Sequence, residues 1–139
     1  LNSTKLQGMD DWMIFLGYGW KLSGYFMIPD ASLRLEPLLD YLLPTPREIP
    51  FEEFMKRLSE KCPELDRGTL FEKCWQSTYG GKTQNNQLSL ILSTALRTLQ
   101  QKNLIKLAFV PDALNTWMLF PDMFDPRVTH ISKIRTNLL

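Results

Sequence analysis

The amino-acid sequence predicts an α+β domain that is mainly helical, and three observations lead to that prediction. Three stretches after Pro50 place apolar residues three and four positions apart, which is the period of a helix with one buried face. Two shorter runs rich in β-branched and aromatic residues follow the third stretch. An aromatic segment precedes all of these elements. A chain of 139 residues is long enough to bury one core, so we expect one ordinary globular unit.

Residues 1–46 are predicted to form a β-rich aromatic segment that packs on the main domain. The run WMIFLGYGWKLSGYFMI, Trp12 to Ile28, alternates aromatic and small residues, which favours two strands that turn near KLSG. ASLRLEPLLDYLLP then predicts a short helix with Pro37 in its first turn. Its apolar face consists of Leu38, Leu39, Leu42 and Leu43. The three prolines of PTPREIP end this helix and mark the main internal boundary.

Residues 47–123 are predicted to form the main domain, which begins with three helices. FEEFMKRLSEKCP predicts the first, because Phe51, Phe54, Met55 and Leu58 share one face. DRGTLFEKCWQSTY predicts the second, with Thr69 as N-cap and Glu72 completing a capping box. The third and longest helix has an apolar stripe made of Leu88, Ile91, Leu92, Ala95, Leu96 and Leu99.

The remaining elements are a predicted hairpin and a predicted C-terminal helix. NLIKLAFVP and TWMLFP are two β-type runs, and the DALN between them suits the tip of a hairpin. In residues 124–139, Asp125 is the expected N-cap and Pro126 the first helical residue. The helical spacing rests on Val128, Ile131, Ile134 and Leu138.

The stretch YGGKTQ, from Tyr79 to Gln84, is similar to the end of a phosphate-binding loop, but its context excludes that function. Such a loop needs G-x-x-x-x-G-K-[ST] between a buried strand and a helix, so that backbone N–H groups wrap the phosphates. Gln76 stands where the first glycine belongs, and the preceding residues have helical spacing. We therefore expect a loop between two helices, with no nucleotide and no other cofactor or small-molecule substrate.

Charge and cysteine content narrow the class of partners. The net charge is only +1, but from Lys73 to Pro111 there is no acidic residue. The cations of this window are Lys73, Lys82, Arg97, Lys102 and Lys106, so a local basic surface is expected. Cys62 and Cys74 lack the companion ligands of a zinc site, which predicts buried free thiols, no metal and a cytoplasmic location.

Membrane association and catalysis are both disfavoured. The run Trp12 to Ile28 contains Lys21 and is shorter than the ~20 apolar residues that a membrane span needs. His130 lies near no obvious nucleophile, and the acidic residues have no spacing typical of an acid/base pair or a metal cage. We expect a noncatalytic chain, with any catalysis on other domains or partner chains. Because the sequence begins with Leu1, we also expect it to be a piece of a longer prokaryotic protein.

Arg47 to Phe120 resembles the winged helix-turn-helix superfamily, through FEEFMKRL, TLFEKCW, the long helix running into a strand, and TWMLF as the return strand. The resemblance implies that the third helix can enter the major groove of double-stranded DNA while a hairpin wing touches the backbone. Asn, Gln, Arg, Ser and Thr can all contact bases or phosphates. The DNA-binding residues expected on this basis are Lys82, Gln84, Asn86, Ser93, Thr94, Arg97, Gln101, Lys102 and Lys106.

Two alternatives to DNA binding stay open. Winged helices also dock proteins, and an exposed Leu90 with Trp117 would then bind a partner subunit. The polar residues of the third helix are equally compatible with an ordinary solvated surface.

A second resemblance concerns FLGYGWKLSGYFMIPD followed by EKCPELDRGTLFEKCW. These stretches are similar to the C-terminal part of bacterial proteins associated with DNA-phosphorothioation-dependent restriction, which work in multiprotein complexes. The resemblance implies a subunit of a DNA-defence assembly.

Overall fold

The computed structural model describes residues 3–22, 26–81, 86–121 and 130–137 of the chain. The α-helices in these ranges are α1 (Ser3–Phe15), α2 (Ser32–Leu35), α3 (Leu39–Leu42), α4 (Phe51–Lys61), α5 (Thr69–Tyr79) and α6 (Leu90–Gln101). The strands are β1 (Gly19–Leu22), β2 (Phe26–Pro29), β3 (Ile49–Pro50), β4 (Ile105–Ala108), β5 (Trp117–Met118), β6 (His130–Ile131) and β7 (Lys133–Thr136). The arrangement is a mixture of helices and small antiparallel sheets.

The N-terminal segment combines a helix with a hairpin, so the prediction of a β-rich segment is only partly confirmed. β1 and β2 pair antiparallel, with Gly19 opposite Pro29, as the turn near KLSG predicts. Residues 3–15 instead form α1, because STKLQGMDDWMIF has almost no β-branched residues to disfavour a helix. Gly17 then turns the chain at φ +86°, where a Cβ would lie 2.9 Å from the backbone nitrogen of Arg34.

The helix predicted around Pro37 is divided into three short pieces. A 3₁₀ turn, Glu36–Leu38, separates α2 from α3, and Pro37 lies in its first turn. A proline has no N–H to donate within a continuous helix, which accounts for the interruption. The predicted apolar face is nevertheless correct, since Leu39, Leu42 and Leu43 are buried and Leu38 is partly buried.

The three helices of the main domain exist, although two of them begin differently from the prediction. α4 buries the whole predicted face. The capping box predicted for α5 is wrong, because Gly68 is the N-cap and no side chain caps the helix. α6 begins only at Leu90, after Ser89, whose Oγ accepts a hydrogen bond from the backbone N–H of Leu92 at 3.4 Å.

The strand pairing contradicts the predicted hairpin wing. β4 pairs with β7, and β5 pairs with β6, so the two predicted wing strands lie in different sheets. β7 also pairs with β3, which gives a three-stranded sheet in the order β3-β7-β4.

The C-terminal helix prediction is wrong for residues 130–137, which form β6 and β7. Lys133, Ile134, Arg135 and Thr136 alternate between the two sheet faces, a period of two that outweighs the apparent helical spacing. Residues 122–129, which contain the predicted N-cap Asp125, lie outside the described residues.

One hydrophobic core connects the N-terminal segment with the main domain. Leu35, Leu39 and Leu42 belong to the same buried cluster as Phe51, Leu96 and Ile134. Polar contacts also cross between these regions; for example, the hydroxyl of Thr98 donates to Asp30 at 2.7 Å, and the phenol of Tyr18 donates to Glu64 at 2.5 Å. The boundaries at residues 46 and 123 stay predictions. Among the described helices, none is both long and apolar enough to cross a membrane.

Candidate functional site

α6 carries four of the nine residues that the sequence assigns to DNA contact, and most of its surface faces the protein itself. The prediction that Ser93 lies on the solvent face is wrong: it is fully buried, and its Oγ accepts a hydrogen bond from the N–H of Phe120 at 2.8 Å. Arg97 is partly buried and donates to the carbonyl oxygen of Phe120 at 2.8 Å. The hydroxyl of Thr94 donates back to the carbonyl of Leu90 within the helix.

Two further polar side chains of α6 also have partners inside the fold. Thr98 bonds to Asp30, and the side-chain oxygen of Gln100 accepts from the N–H of Leu107 at 2.8 Å. These bonds fix α6 to β2, to β4 and to the segment around Phe120. The helix is therefore a central structural element, whereas a helix that reads bases must present its polar groups to the groove.

The other predicted DNA-binding residues are dispersed. Gln101, Lys102 and Lys106 are exposed, and Lys102 forms an ion pair with Glu36 at 3.4 Å. Lys82 and Gln84 lie outside the described residues. The expected contacts that the structure describes therefore do not share one continuous face of α6.

Asn86 and Trp117, predicted for two different functions, meet in one polar pocket of about 260 Å³. Asn86 lies before α6 and not on it, and its side-chain oxygen accepts from Arg67 Nη2 at 3.1 Å. The guanidinium of Arg67 lies over the Trp117 ring at 5.0 Å. Trp117 is only 2% exposed and donates to Glu52 at 3.0 Å, so little of its side chain is accessible to the partner subunit that the sequence predicts for it.

The residues beside this pocket explain how the loop after α4 is held. Asp66 is buried, and its carboxylate accepts hydrogen bonds from both the N–H and the hydroxyl of Ser89, the N-cap of α6. Burial raises the pKa of Asp66 above its ordinary value, although the hydrogen bonds from Ser89 oppose that effect. Arg67 adopts φ +66°, a left-handed conformation that is uncommon for a residue with a Cβ.

α5 presents a row of aromatic side chains that the described part of the chain covers only in part. Phe71, Trp75 and Tyr79 follow one another at four-residue intervals, with ring centroids 6.3 and 4.4 Å apart. No residue of α5 is buried, and Leu70 and Tyr79 are 52% and 69% exposed. Cys74 is also exposed, so the prediction that both cysteines are buried holds only for Cys62.

α5 is attached to the body mainly through its first turn. The N–H groups of Leu70 and Phe71 both donate to the carbonyl of Pro63, at 3.0 and 3.1 Å. Gly68 fits closely against the backbone of Pro63, and a side chain at this position would collide with it. The anchoring is therefore a main-chain arrangement at one end, while the aromatic row extends away from it.

Sequence reasoning missed three features of this surface. The aromatic spacing of α5 is visible in the sequence, but periodicity does not reveal whether a stripe is covered. Asp66 and Arg67 gave no signal, because their partners lie at least 19 positions away along the chain.

Comparison with known proteins gives one match. The family model described as DpdG-like matches residues 1–113, which is most of the chain. No curated protein and no solved structure shows significant similarity to it. The chain therefore belongs to the DpdG-like family, which links it to a multi-component DNA modification or restriction system.

Proposed function

We propose that the chain is a noncatalytic docking module of a DNA modification or restriction assembly, and that α5 binds an apolar surface on another protein subunit. The observation that carries this proposal is the aromatic row of α5, in which Phe71 and Trp75 are partly exposed, Tyr79 is exposed and no residue is buried. Membership in the DpdG-like family supports the assembly, while the kind of DNA modification, including phosphorothioation, stays a prediction.

The energetics of a short helix favour a partner at this face. Isolated helices shorter than about 12–15 residues are marginal in water, and most helices gain stability by burying an apolar stripe. α5 has 11 residues and buries none of them. Covering Leu70, Trp75 and Tyr79 with an apolar surface would supply the missing burial, and aromatic residues are the side chains that most often anchor protein interfaces.

Direct base recognition by α6 receives less support than docking. Ser93, Arg97, Thr98 and Gln100 already have hydrogen-bond partners in the protein. A base contact by any of them would first require the loss of an internal bond. Leu90, which is 43% exposed at the start of α6, is a second residue available to a protein partner.

A winged-helix arrangement remains part of the proposal in an altered form. We assign α2–α3 as its first helix, α4 as its second and α6 as its third, with α5 as an addition between the last two. The sheet order β3-β7-β4, in which β3 precedes α4 and β4 follows α6, supports this assignment. The wing would then consist of β4 and β7, and the described carboxylates of Asp30, Glu64 and Asp66 serve structural bonds, in keeping with a noncatalytic role.

A cytoplasmic location is part of the same proposal. The exposed thiol of Cys74 suits a reducing compartment, in which such a group persists unpaired.

The test is binding to the other subunits of the DNA modification or restriction system, produced separately and titrated with this chain. Replacing both Leu70 and Tyr79 with Asp should weaken the complex at least tenfold, because each change forces a carboxylate into an apolar interface. Leu33→Asp is the matched control, since Leu33 is a similarly exposed leucine (56%) on a different helix. Unchanged affinity in the double variant, with every subunit tested, would contradict the proposal.

A further inference from the structure

The outer face of the three-stranded sheet carries three cations close together. Direct cross-strand partners point to the same side of a sheet, so Lys106 and Arg135 share a face, as do Ala108 and Lys133. Ile105, Ile134 and Thr136 are buried on the opposite, inner face. Lys133 precedes Arg135 by two residues and lies on the same side of β7. The Cα atoms of the two residues are therefore about 6.8 Å apart along the strand.

This arrangement is unfavourable for the isolated chain. Like charges directly opposite each other on antiparallel strands destabilise the pairing, and Lys106 is directly opposite Arg135. The Nε atom of Arg135 is buried and has no hydrogen-bond partner among the described residues. Such a group in a folded protein calls for a physical explanation.

Acidic side chains offset these charges only in part. The Nζ atom of Lys133 lies 3.6 Å from Oε1 of Glu48. Among the described residues, Glu48 is the one acidic residue that forms an ion pair with any of the three cations. β4 lies within the acid-free window between Lys73 and Pro111. Counted over the described residues, the outer face therefore has an excess of positive charge around Lys106 and Arg135.

We propose that this face binds the phosphate backbone of double-stranded DNA, with Arg135 and Lys106 as the principal contacts and Lys133 as a third. A bound phosphate would offset the repulsion between Lys106 and Arg135, and it could accept charge-assisted hydrogen bonds from the end of the partly exposed Arg135 side chain, although not from its buried Nε. Lys133 and Arg135 follow one another along β7, and the phosphates of DNA also follow one another along its backbone. Two successive cations therefore suit DNA better than a single anion. Backbone contacts of this kind position a protein without reading sequence.

The site is distinct from α5 and does not depend on docking by that helix. It also differs from the α6 face, because none of its three cations lies on a helix. The two surfaces would allow one chain to hold a partner subunit and to touch DNA at the same time.

The test measures binding of the whole chain to a fluorescent duplex as a function of salt, with two duplexes of unrelated sequence. The variant is Lys106→Gln with Arg135→Gln. The matched control is Lys56→Gln with Lys61→Gln, which removes the same charge from exposed positions on α4. The double variant should bind at least tenfold more weakly at low salt, and the slope of log K against log salt should fall by about 2, close to one for each lost phosphate contact. Both duplexes should behave alike, and the control should change binding less than twofold.

The proposal would be overturned by equal losses in the variant and the control, by absence of duplex binding by the native chain, or by binding to phosphatidylserine vesicles that exceeds binding to DNA. Lys106→Gln alone provides a check on folding: it should leave the melting temperature unchanged or raise it, because it removes the like-charge pair, while duplex binding still falls. A lowered melting temperature together with lost binding would indicate a structural role and count against the site.

Discussion

α5 and α6 are two neighbouring helices of similar length, and the contrast between them is instructive. Both carry an apolar stripe at helical spacing. The stripe of α6 is buried together with part of its polar face, whereas α5 has no buried residue. A hydrophobic stripe therefore predicts that one face of a helix is buried in a contact. It does not tell whether that contact lies within the same chain or with another protein.

The largest expected effect comes from the buried stripe of α6. Leu96→Ala should lower the free energy of unfolding by about 2–5 kcal/mol, because it removes a fully buried side chain and leaves a cavity. Leu70→Ala on α5 should change the same quantity by no more than about 0.5 kcal/mol, since the side chain is half exposed. Urea denaturation of both variants measures the difference, and similar losses would mean that α5 packs on the body of this chain.

The next effect concerns the polar face of α6. Ser93→Ala should cost about 1–3 kcal/mol, because the N–H of Phe120 loses the acceptor that the fully buried Ser93 supplies. Thr94→Ala is the control: its hydroxyl bonds only within the helix, and a change within about 0.5 kcal/mol is expected. Equal, small effects at both positions would indicate that Ser93 faces solvent, as the sequence predicts.

The smallest effect is the pH dependence contributed by Asp66, which lies between α4 and α5 and accepts hydrogen bonds from Ser89, the N-cap of α6. Burial raises the pKa of Asp66 in the folded state above its ordinary value of 3.8. At a pH between the pKa of Asp66 in the unfolded chain and its higher pKa in the folded chain, the folded chain binds more protons than the unfolded chain. The stability from this group is therefore fully present below the unfolded pKa and declines as the pH rises through the folded pKa.

Asp66→Asn should abolish this contribution while keeping an acceptor for the N–H of Ser89. The unfolding free energy of the native chain should thus fall relative to that of the variant as the pH rises above 3.8, the ordinary pKa of this carboxyl group. Urea denaturation at a series of pH values measures that trend. A difference that moves in favour of the native chain would mean that hydrogen bonds to the carboxylate, and not its burial, dominate.

The sequence predicts the local elements of this fold better than their pairing. α4 is predicted correctly because its acidic first turn and apolar face agree with each other. The β1–β2 hairpin is also predicted, since its two strands are close in sequence. The pairing of β4 with β7 joins residues about 30 positions apart, and no local pattern specifies it. The spacing of Ile131 and Ile134 suits either a helix or a strand, and the alternation of Lys133 to Thr136 decides for the strand only when all four residues are considered.

The candidate sites, like the fold, are predicted from the sequence only where they depend on local features. The acid-free window and Lys106 were visible in the sequence, but the position of Arg135 opposite Lys106 depends on a sheet that the sequence does not reveal. The sequence predicts that Asn86 and Ser93 lie on the solvent face of the third helix, but Asn86 precedes α6 and Ser93 is buried. The type of a residue therefore indicates which contacts its side chain can make, but only the tertiary packing determines whether that side chain is exposed.

The two cysteines have a practical consequence for experiments on α5. Cys62 is fully buried and burial raises the pKa of its thiol, so it reacts slowly with alkylating reagents. Cys74 lies exposed on α5, one residue before Trp75 of the aromatic row. A maleimide dye added to the native sequence should therefore label α5 selectively. The helix proposed to meet a partner can thus report on that encounter without any engineered substitution.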